Sequence, residues 1–459
     1  MLKNIKKIHF VGIGGAGMSA IAKVLLQMGY TITGSDLNKS ETIDKLVKIG
    51  ARIFTGHNRE NVHDAEAVVV STAISENNPE VQLAREKGIP IFHRADVIAE
   101  LMLKYEGIAV AGAHGKTTTT AMIAVMLEYA GVDPTIIIGG EVDYLHGSAK
   151  LGTGKYLVAE ADESDGSFLK FSPYIAVVTN IENDHMDFYK SMENILHTFS
   201  KFLHNLPINK GLGILCFDNA YIRDLTKNLQ RSYISYGIDH DAQYMARNIC
   251  TRGVITTYDV YQEQQLLGAI KINVPGRHNV ENSLAAVVVG VTIGLTFAQV
   301  AEGLAQFQGA KRRFQTKARL NGVWVIDDYA HHPTEITTTL LAARQTEPKR
   351  LICVFQPHRY SRTQFLREEF GRAFTPSDIL IITDVYAAGE QPIPGITGEI
   401  LKEEVERQTG KQVIYIPDKD KIARYLGEIV EPGDLVMTMG AGNIYRVGEE
   451  LVELLMQKQ

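Results

Sequence analysis

The residues with the most chemical content form the run Gly112-Ala113-His114-Gly115-Lys116-Thr117-Thr118. A lysine placed directly after a glycine can reach the terminal phosphates of a nucleoside triphosphate, and the hydroxyl that follows can hold Mg2+. The two glycines free the backbone to turn its N–H groups toward an anion, and a helix starting behind them adds its positive end. A usual phosphate loop puts four residues between its first glycine and the Gly-Lys; that first position is Val110, so the loop is a shortened form.

Two acidic segments could complete such a site. Ala159-Glu160-Ala161-Asp162-Glu163-Ser164-Asp165 sets four carboxylates behind a strand-like run, and Thr179-Asn180-Ile181-Glu182-Asn183-Asp184-His185-Met186-Asp187 repeats the arrangement. Each alone reads as a solvated loop, and His185 as a surface or capping histidine. At strand ends beside a phosphate loop they offer oxygen donors suited to hard cations. Two metal positions there would neutralise a γ-phosphate while orienting an attacking carboxylate.

Asn279 and Asn282, within Pro275-Gly276-Arg277-His278-Asn279-Val280-Glu281-Asn282-Ser283, share one helical face; they read a base edge or cap the first turn. Lys311-Arg312-Arg313 is either a phosphate clamp or a surface cluster. Asp327-Asp328-Tyr329-Ala330-His331-His332-Pro333 and Gln356-Pro357-His358-Arg359-Tyr360-Ser361-Arg362-Thr363 each follow an apolar strand, where open sheets bind ligands. Arg359 and Arg362 present forked donors to a carboxylate, so the two clusters favour a small acidic or zwitterionic substrate. Asp384-Val385-Tyr386-Ala387-Ala388-Gly389-Glu390 is a third strand end of this kind.

These groups need strands and helices to hold them. Ile8-His9-Phe10-Val11 reads as a strand, Gly12-Ile13-Gly14-Gly15-Ala16-Gly17 as a dinucleotide-type turn, and Met18 to Met28 as a helix ended by Gly29. The next strand ends at Asp36, where an acidic residue would meet a ribose or a base. NAD or FAD fits this loop, but so does the diphosphate of a UDP-sugar. Strands near Val68-Val69-Val70 and Pro90-Ile91-Phe92 alternate with helices at Pro79–Lys87 and Asp96–Leu103, an α/β rhythm with parallel strands. Ile108–Ala111, Tyr156–Ala159, Ile175–Val178 and Gly213–Cys216 continue it, and Ala121–Leu127 is the helix behind the phosphate loop. Tyr233 to Val274 reads as a β-rich insertion or edge, and Leu284 to Ala298 as one buried helix too short to span a bilayer. Later strands at Trp324–Ile326, Leu351–Phe355, Ile379–Ile382 and Leu435–Thr438 precede a turn at Gly440-Ala441-Gly442-Asn443.

The chain has 459 residues, enough for two to four domains, with boundaries expected at 1–104, 105–317 and 318–459. Forty-seven Lys and Arg against 53 Asp and Glu give a formal charge of -6, without the basic run a nucleic-acid partner needs. Cys216, Cys250 and Cys353 are scattered, as in a reducing compartment, and form neither a metal cage nor a disulfide framework. Lys3, Lys6 and Lys7 precede no long apolar stretch, so no signal peptide is expected. Neither nucleic acid nor stable membrane insertion is expected, and monomer and homodimer are both compatible with the sequence.

Taken in order along the whole chain, these segments resemble the Mur ligase family, the ATP-dependent ligases of peptidoglycan precursor synthesis. The resemblance is carried by Gly12 to Ser19, Gly112 to Thr117, Glu160 to Asp165, Asn180 with Asp184 to Asp187, His278-Asn279 with Asn282, Asp327 to Glu335 and Gln356 to Thr363. It implies an α/β protein of three domains: an N-terminal Rossmann-like parallel sheet, a central P-loop ATPase-like domain and a C-terminal Rossmann-like domain. These would bind UDP-N-acetylmuramate, ATP and L-alanine respectively, in cell-wall biogenesis in the cytoplasm. Gly14, Gly15, Ala16, Gly17, Met18, Asp36 and Ser71 would meet the UDP-sugar. Gly112 to Thr118, Asn279, Asn282 and Arg313 would bind ATP, with the two asparagines on adenine.

Lys116, Glu160, His185, Asp328 and His331 would be the catalytic groups. Thr117, Glu160 and His185 would hold two Mg2+ ions, for which Mn2+ can substitute. Tyr329, His331, Arg359 and Arg362 would form the alanine pocket, with His331 either receiving the amine proton or positioning the amino acid. Many members use a carbamylated lysine beside the metals; Lys190 has no such motif around it, and none is expected here. The recycling ligases of the family attach an intact tripeptide and share the nucleotide loops and the Asp-Asp-aromatic-Ala-His-His segment, but the run His358 to Thr363 resembles the alanine-adding members. An NAD-dependent oxidoreductase would leave Gly-Lys-Thr and the paired carboxylate–histidine strand ends unused, and a non-enzymatic ATP switch would be excluded by ADP release only when both UDP-sugar and amino acid are present.

Overall fold

A computed structural model describes residues 4–62 and 64–457; Lys3 and the side chain of Asp187 lie outside what it describes. The chain forms two compact units, one of Met1–Asn248, Tyr258–Lys271 and Glu281–Phe307, the other of Ile249–Thr257, Ile272–Val280 and Gln308–Gln459.

The amino-terminal sheet comprises β1 (Lys7–Val11), β2 (Thr31–Asp36), β3 (Arg52–Thr55), β4 (Ala67–Val70) and β5 (Ile91–His93) in the order β3-β2-β1-β4-β5, all parallel. The order reverses at β1, so the glycine turn after Val11 opens at the switch point, where such sheets leave a crevice. The helix expected from Asp96 begins two residues earlier, at Arg94, because His93 accepts from the Ala95 N–H and the Asp96 carboxylate returns to the His93 N–H, a reciprocal capping box. Beneath this sheet Glu80 is fully buried on the helix Pro79–Glu86. Burial opposes its charge, but His9, the Ser35 hydroxyl at 2.6 Å and the Asn61 amide at 2.6 Å hold its carboxyl down at about 2.

A ten-stranded sheet follows: β6 (Glu106–Ala111), β7 (Thr135–Val142), β8 (Gly147–Lys150), β9 (Tyr156–Glu160), β10 (Ile175–Val178), β11 (Leu212–Cys216), β12 (Tyr233–Gly237), β13 (Tyr244–Arg252), β14 (Ile255–Gln262) and β15 (Gln265–Ile272). Its order is β15-β14-β13-β12-β11-β10-β6-β9-β7-β8, so β6 runs between β10 and β9, parallel to both. The turns after these three strands therefore end side by side. The β-rich stretch from Tyr233 is the far edge of this sheet. The single buried helix expected over Leu284–Ala298 is instead two. The first, Arg277–Thr292, stops before Gly294 (φ 96°), and Thr296 with Gln299 forms a capping box that starts the second, Phe297–Leu304.

The carboxy-terminal sheet contains β16 (Gln315–Leu320), β17 (Val323–Asp328), β18 (Arg350–Phe355), β19 (Ile379–Ile382), β20 (Val413–Tyr415) and β21 (Asp434–Met439) in the order β16-β17-β21-β18-β19-β20. Only β16 is antiparallel to its neighbour. Strand period two sorts its residues between two cores. Val325, Ile352, Val354 and Val436 pack with Leu426 and Leu451, while Ile326, Cys353, Phe355 and Met437 pack with Leu340 and Phe370 on the other face. β16 straddles the boundary expected at 317/318. Among the described residues no helix is long and apolar enough to cross a membrane, and all three cysteines are free.

Candidate active site

The phosphate loop leaves β6 at Ala111 and enters the helix Lys116–Tyr129. Gly112 (φ 138°) and Gly115 (φ 83°) are both required: a Cβ on the first would lie 2.1 Å from Thr179 Oγ1, and on the second 2.5 Å from Asn282 Oδ1. The loop is clamped from the end of β10. Asn180 accepts from the His114 N–H at 2.9 Å, its own amide donates to the His114 carbonyl at 3.0 Å, and the Thr179 hydroxyl donates to that carbonyl at 2.6 Å. On the helix, the Thr119 hydroxyl donates to Asn282 Oδ1 at 3.1 Å.

Lys116 folds back over its own loop. Its ammonium donates to the carbonyls of Gly112 (2.6 Å) and Ala113 (3.1 Å) and to Glu163 Oε1 (2.8 Å). Burial pushes its pKa down, but Glu163, Asp162 and Glu160 outweigh burial, so the net shift is upward and the lysine stays charged. His185, in the left-handed region at φ 55°, brings Nε2 to 3.5 Å from both Glu163 Oε1 and Asp184 Oδ2. Glu160 Oε1 accepts from the Gly139 N–H at 2.7 Å, and the Thr117 methyl lies 3.1 Å from the Cβ position of Gly140. Lys116 and His185 thus meet on Glu163, a member of the acidic run that spacing alone does not single out. Glu163 is 3 % exposed, and its Oε2 is buried without a hydrogen-bond partner. An orphaned carboxylate oxygen on Glu163, whose other oxygen lies 3.5 Å from the His185 imidazole, fits a hard divalent cation.

In the amino-terminal loop, Gly12 and Ile13 donate to the Ser35 carbonyl at 2.8 and 3.0 Å, and Gly14 donates to Asp36 Oδ2 at 2.9 Å. Asp36, expected at a ribose or a base, also braces the loop that carries the glycines, its other oxygen accepting from the Asn38 N–H at 3.1 Å. Gly15 precedes the helix Ala16–Gln27, so Ala16 and Gly17 sit in its first turn, with Met18 buried beneath. Ser71 directly follows β4.

The second unit assembles the other cluster. Asp328, at the end of β17, accepts from the N–H groups of Phe314 (2.7 Å) and Ala330 (2.8 Å). Burial outweighs these donors and the nearby Arg313 guanidinium and pushes its carboxyl up to about 6. The Tyr329 ring carries the guanidinium carbons of Arg312 and Arg313 at 4.9 and 5.2 Å and meets the His331 ring edge-on at 5.4 Å. His331 Nδ1 lies 3.0 Å from the Tyr329 carbonyl, which makes Nδ1 the protonated nitrogen and Nε2 the basic one.

The rings continue through His358, 5.7 Å from His331 and stacked on Tyr386. Arg362 Nη1 is 3.3 Å from His358 Nδ1. Burial, with His331, Arg362 and Arg359 around it, pushes His358 down to about 3, so it is a neutral imidazole near pH 7. Arg359 starts the helix Tyr360–Phe365 at φ 68°, its N–H donating to the Tyr386 carbonyl at 2.9 Å. Ser361 donates to Glu390 through its N–H (3.1 Å) and hydroxyl (2.6 Å). Tyr329, His331, Arg359 and Arg362 thus lie around the ring series that runs through His358. His358, Tyr386 and Glu390 are partners without an expected role, although all three lie in polar strand ends visible in the sequence. In this unit His278 is half-buried and pushed down to about 4 by burial and by Arg313, and the Asn279 amide donates to the Pro275 carbonyl at 2.7 Å.

The chain is similar to known proteins along its length. Three family models match in succession: the Mur ligase family catalytic domain over residues 7–106, the Mur ligase middle domain over 110–290 and the Mur ligase glutamate ligase domain over 312–442. The UDP-N-acetylmuramate–L-alanine ligases of Pelotomaculum thermopropionicum and Geotalea daltonii are each 50% identical over 455 residues, 99% of this chain and 98% and 99% of theirs. The crystal structure of UDP-N-acetylmuramate–alanine ligase from Thermotoga maritima superposes with a TM-score of 0.86 at 30% identity, covering 99% of this chain and 100% of that one. A murein peptide ligase from Psychrobacter arcticus follows with a TM-score of 0.72 at 26% identity, covering 98% of both chains.

Proposed function

The chain belongs to the Mur ligase family, and from that premise we propose that it joins L-alanine to the lactyl carboxylate of UDP-N-acetylmuramate, with ATP as the activating substrate. It is an acid–amino-acid ligase of peptidoglycan precursor synthesis. The lactyl carboxylate attacks the γ-phosphorus of ATP, giving an acyl phosphate and ADP. The amine of L-alanine then attacks the acyl carbon, and the tetrahedral intermediate collapses to the amide and phosphate. The observation that carries this reading is the Lys116 ammonium, held at the mouth of the phosphate loop by Glu163 beside His185.

Lys116 stabilises the charge that moves onto the transferred phosphoryl oxygens, an electrostatic effect that is usually the largest catalytic contribution. Thr117, Glu160 and His185, with Glu163 Oε2, are the donors for Mg2+, which when bound supplies Lewis-acid charge to the phosphates. Asn279 and Asn282 serve adenine, and Arg313 and Asp328 serve the phosphates. Arg359 and Arg362 receive the alanine carboxylate beside Tyr329, and His331 Nε2 is the acceptor for the amine proton. The loop from Gly14 to Met18, Asp36 and Ser71 serve the UDP-sugar. The division of labour follows residues 1–104, 105–317 and 318–459, and the use of ATP and a UDP-linked sugar supports a cytoplasmic reaction.

The test is ADP and phosphate release with ATP, Mg2+ and UDP-N-acetylmuramate, comparing L-alanine, glycine, L-serine and the L-Ala-D-Glu-diaminopimelate tripeptide, with the product weighed by mass spectrometry. An alanine mass increment with L-alanine preferred is expected. Preference for the tripeptide would transfer the chain to the recycling reaction, and no product with any amine would end the ligase reading. One methyl group in a pocket is worth only about 1–3 kcal/mol, so slow turnover of glycine is compatible with the assignment.

A further inference from the structure

Arg94 stands between the two nucleotide loops. It is the first residue of the helix Arg94–Met102, directly behind β5. On one side its Nη1 lies 2.8 Å from where a Cβ would project from Gly17, in the first turn of the helix that opens behind the amino-terminal glycine loop. On the other, its Nη2 donates to Asp162 Oδ2 at 2.5 Å. Asp162 is the residue before Glu163, which holds Lys116. Burial acts against the Asp162 charge, but Arg94 and Lys116 overcome it and hold the carboxyl below its ordinary range.

The neighbouring contacts tie the same two segments together. The Thr72 hydroxyl donates to Asp165 Oδ2, His93 Nε2 lies 3.1 Å from that hydroxyl, and Lys170 pairs with Asp96 at 2.6 Å. The turn after β9 is thus fastened at one end to the Lys116 loop and at the other to the helix that begins at Arg94.

We infer that Arg94 is a positioning residue that couples the two nucleotide sites: one edge of its guanidinium takes a phosphate oxygen at the Gly17 turn while the other keeps Asp162, and through it Glu163 and Lys116, in place. A planar fork with donors on two edges can serve an anion and a carboxylate together, which a single ammonium cannot. A side chain at Gly17 would displace the guanidinium, which is a physical reason for glycine there. The inference rests on the reading of the first loop as the UDP-sugar site.

The experiment is calorimetric titration of the full chain with ATP, in the absence and presence of saturating UDP-N-acetylmuramate, alongside steady-state kcat and KM. In the unaltered protein the sugar nucleotide is expected to tighten ATP binding by roughly 5- to 150-fold, the usual span of site coupling. Asp162→Asn keeps affinity for the sugar nucleotide but loses the tightening. Arg94→Gln loses both, and Arg94→Lys recovers affinity for the sugar nucleotide without the coupling. An Asp162→Asn protein that still shows the full tightening, or no tightening in the unaltered protein, overturns the inference. Gly15→Asp, which puts a carboxylate in the first loop where a Cβ meets nothing closer than 3.5 Å, isolates the underlying reading. If that variant still binds UDP-N-acetylmuramate, the first loop is not its site and the coupling falls with it.

Discussion

Lys116 and Glu163 lie 47 residues apart in sequence and 2.8 Å apart in space, Nζ to Oε1. The pair fastens the phosphate loop to the turn after β9 and leaves one carboxylate oxygen of Glu163 buried with no partner. Under the proposed function, a phosphate that drew the ammonium forward would leave Glu163 beside His185 with two oxygens for a cation. Its removal therefore strikes the chemistry more than the fold.

Glu163→Gln is expected to lower kcat by roughly 10²- to 10³-fold, the cost typical of losing one preorganised electrostatic group. The KM for ATP should change much less. Steady-state ADP release measures both, and unchanged turnover would remove Glu163 from the site.

Asp328 is buried and has a carboxyl pushed up to about 6. Its ionised form accepts the Phe314 and Ala330 N–H groups that shape the approach to Tyr329 and His331. Activity should therefore rise with pH through about 6, and Asp328→Asn should abolish that limb in a kcat/KM profile. The stability effect has the opposite sign. A folded-state pKa above the unfolded value favours the folded state below the ordinary carboxylate range, and that contribution is lost as pH rises through about 6. A profile whose limb survives in the variant assigns it to another group.

Glu80 titrates the other way. Its folded pKa of about 2 lies below the ordinary value of 4.5, so its contribution is present above 4.5 and lost as pH falls toward 2. Glu80→Gln is expected to cost about 3 kcal/mol near neutral pH, since a tenfold change in an ionisation constant corresponds to about 1.4 kcal/mol. Urea unfolding of both proteins, at neutral pH and in acid, should show that difference shrinking in acid. A pH-independent difference would assign the loss to packing.

Arg362 approaches His358, whose neutral ring stacks on Tyr386. Losing a hydrogen bond from a charged group costs about 1.5–3 kcal/mol. Arg362→Ala should therefore raise the KM for L-alanine by roughly 10- to 100-fold, with the KM for ATP unchanged. Glu390→Gln, acting only through Ser361, should raise it less. If the KM for ATP moves instead, Arg362 does not belong to the amino-acid pocket.

Much of the site is legible in the chain alone. Gly112, Gly115 and Lys116 announce a phosphate loop because each is needed for a local reason, backbone freedom or reach. Apolar runs ending in polar residues, such as Val325 to Asp328 or Val354 to His358, mark strand ends that carry chemistry. The helix break at Gly294 and the early start at Arg94 escape such a reading, because apolar periodicity runs on past the one and capping chemistry sets the other. Asp36 reads from sequence as a carboxylate for a ligand, and only the tertiary structure adds that it also accepts the Gly14 N–H at 2.9 Å.

By itself the sequence determined the α/β class, the two glycine loops and which strand ends bear carboxylates, histidines and arginines, since these follow from local periodicity and residue type. Tertiary structure decided which of them meet. Glu163 rather than Glu160 takes the Lys116 ammonium, and His358 with Tyr386 completes the ring series that begins at Tyr329. The physical reason is strand order. With β6 between β10 and β9, turns far apart in the chain end side by side, and no local signal encodes which neighbour a strand will choose.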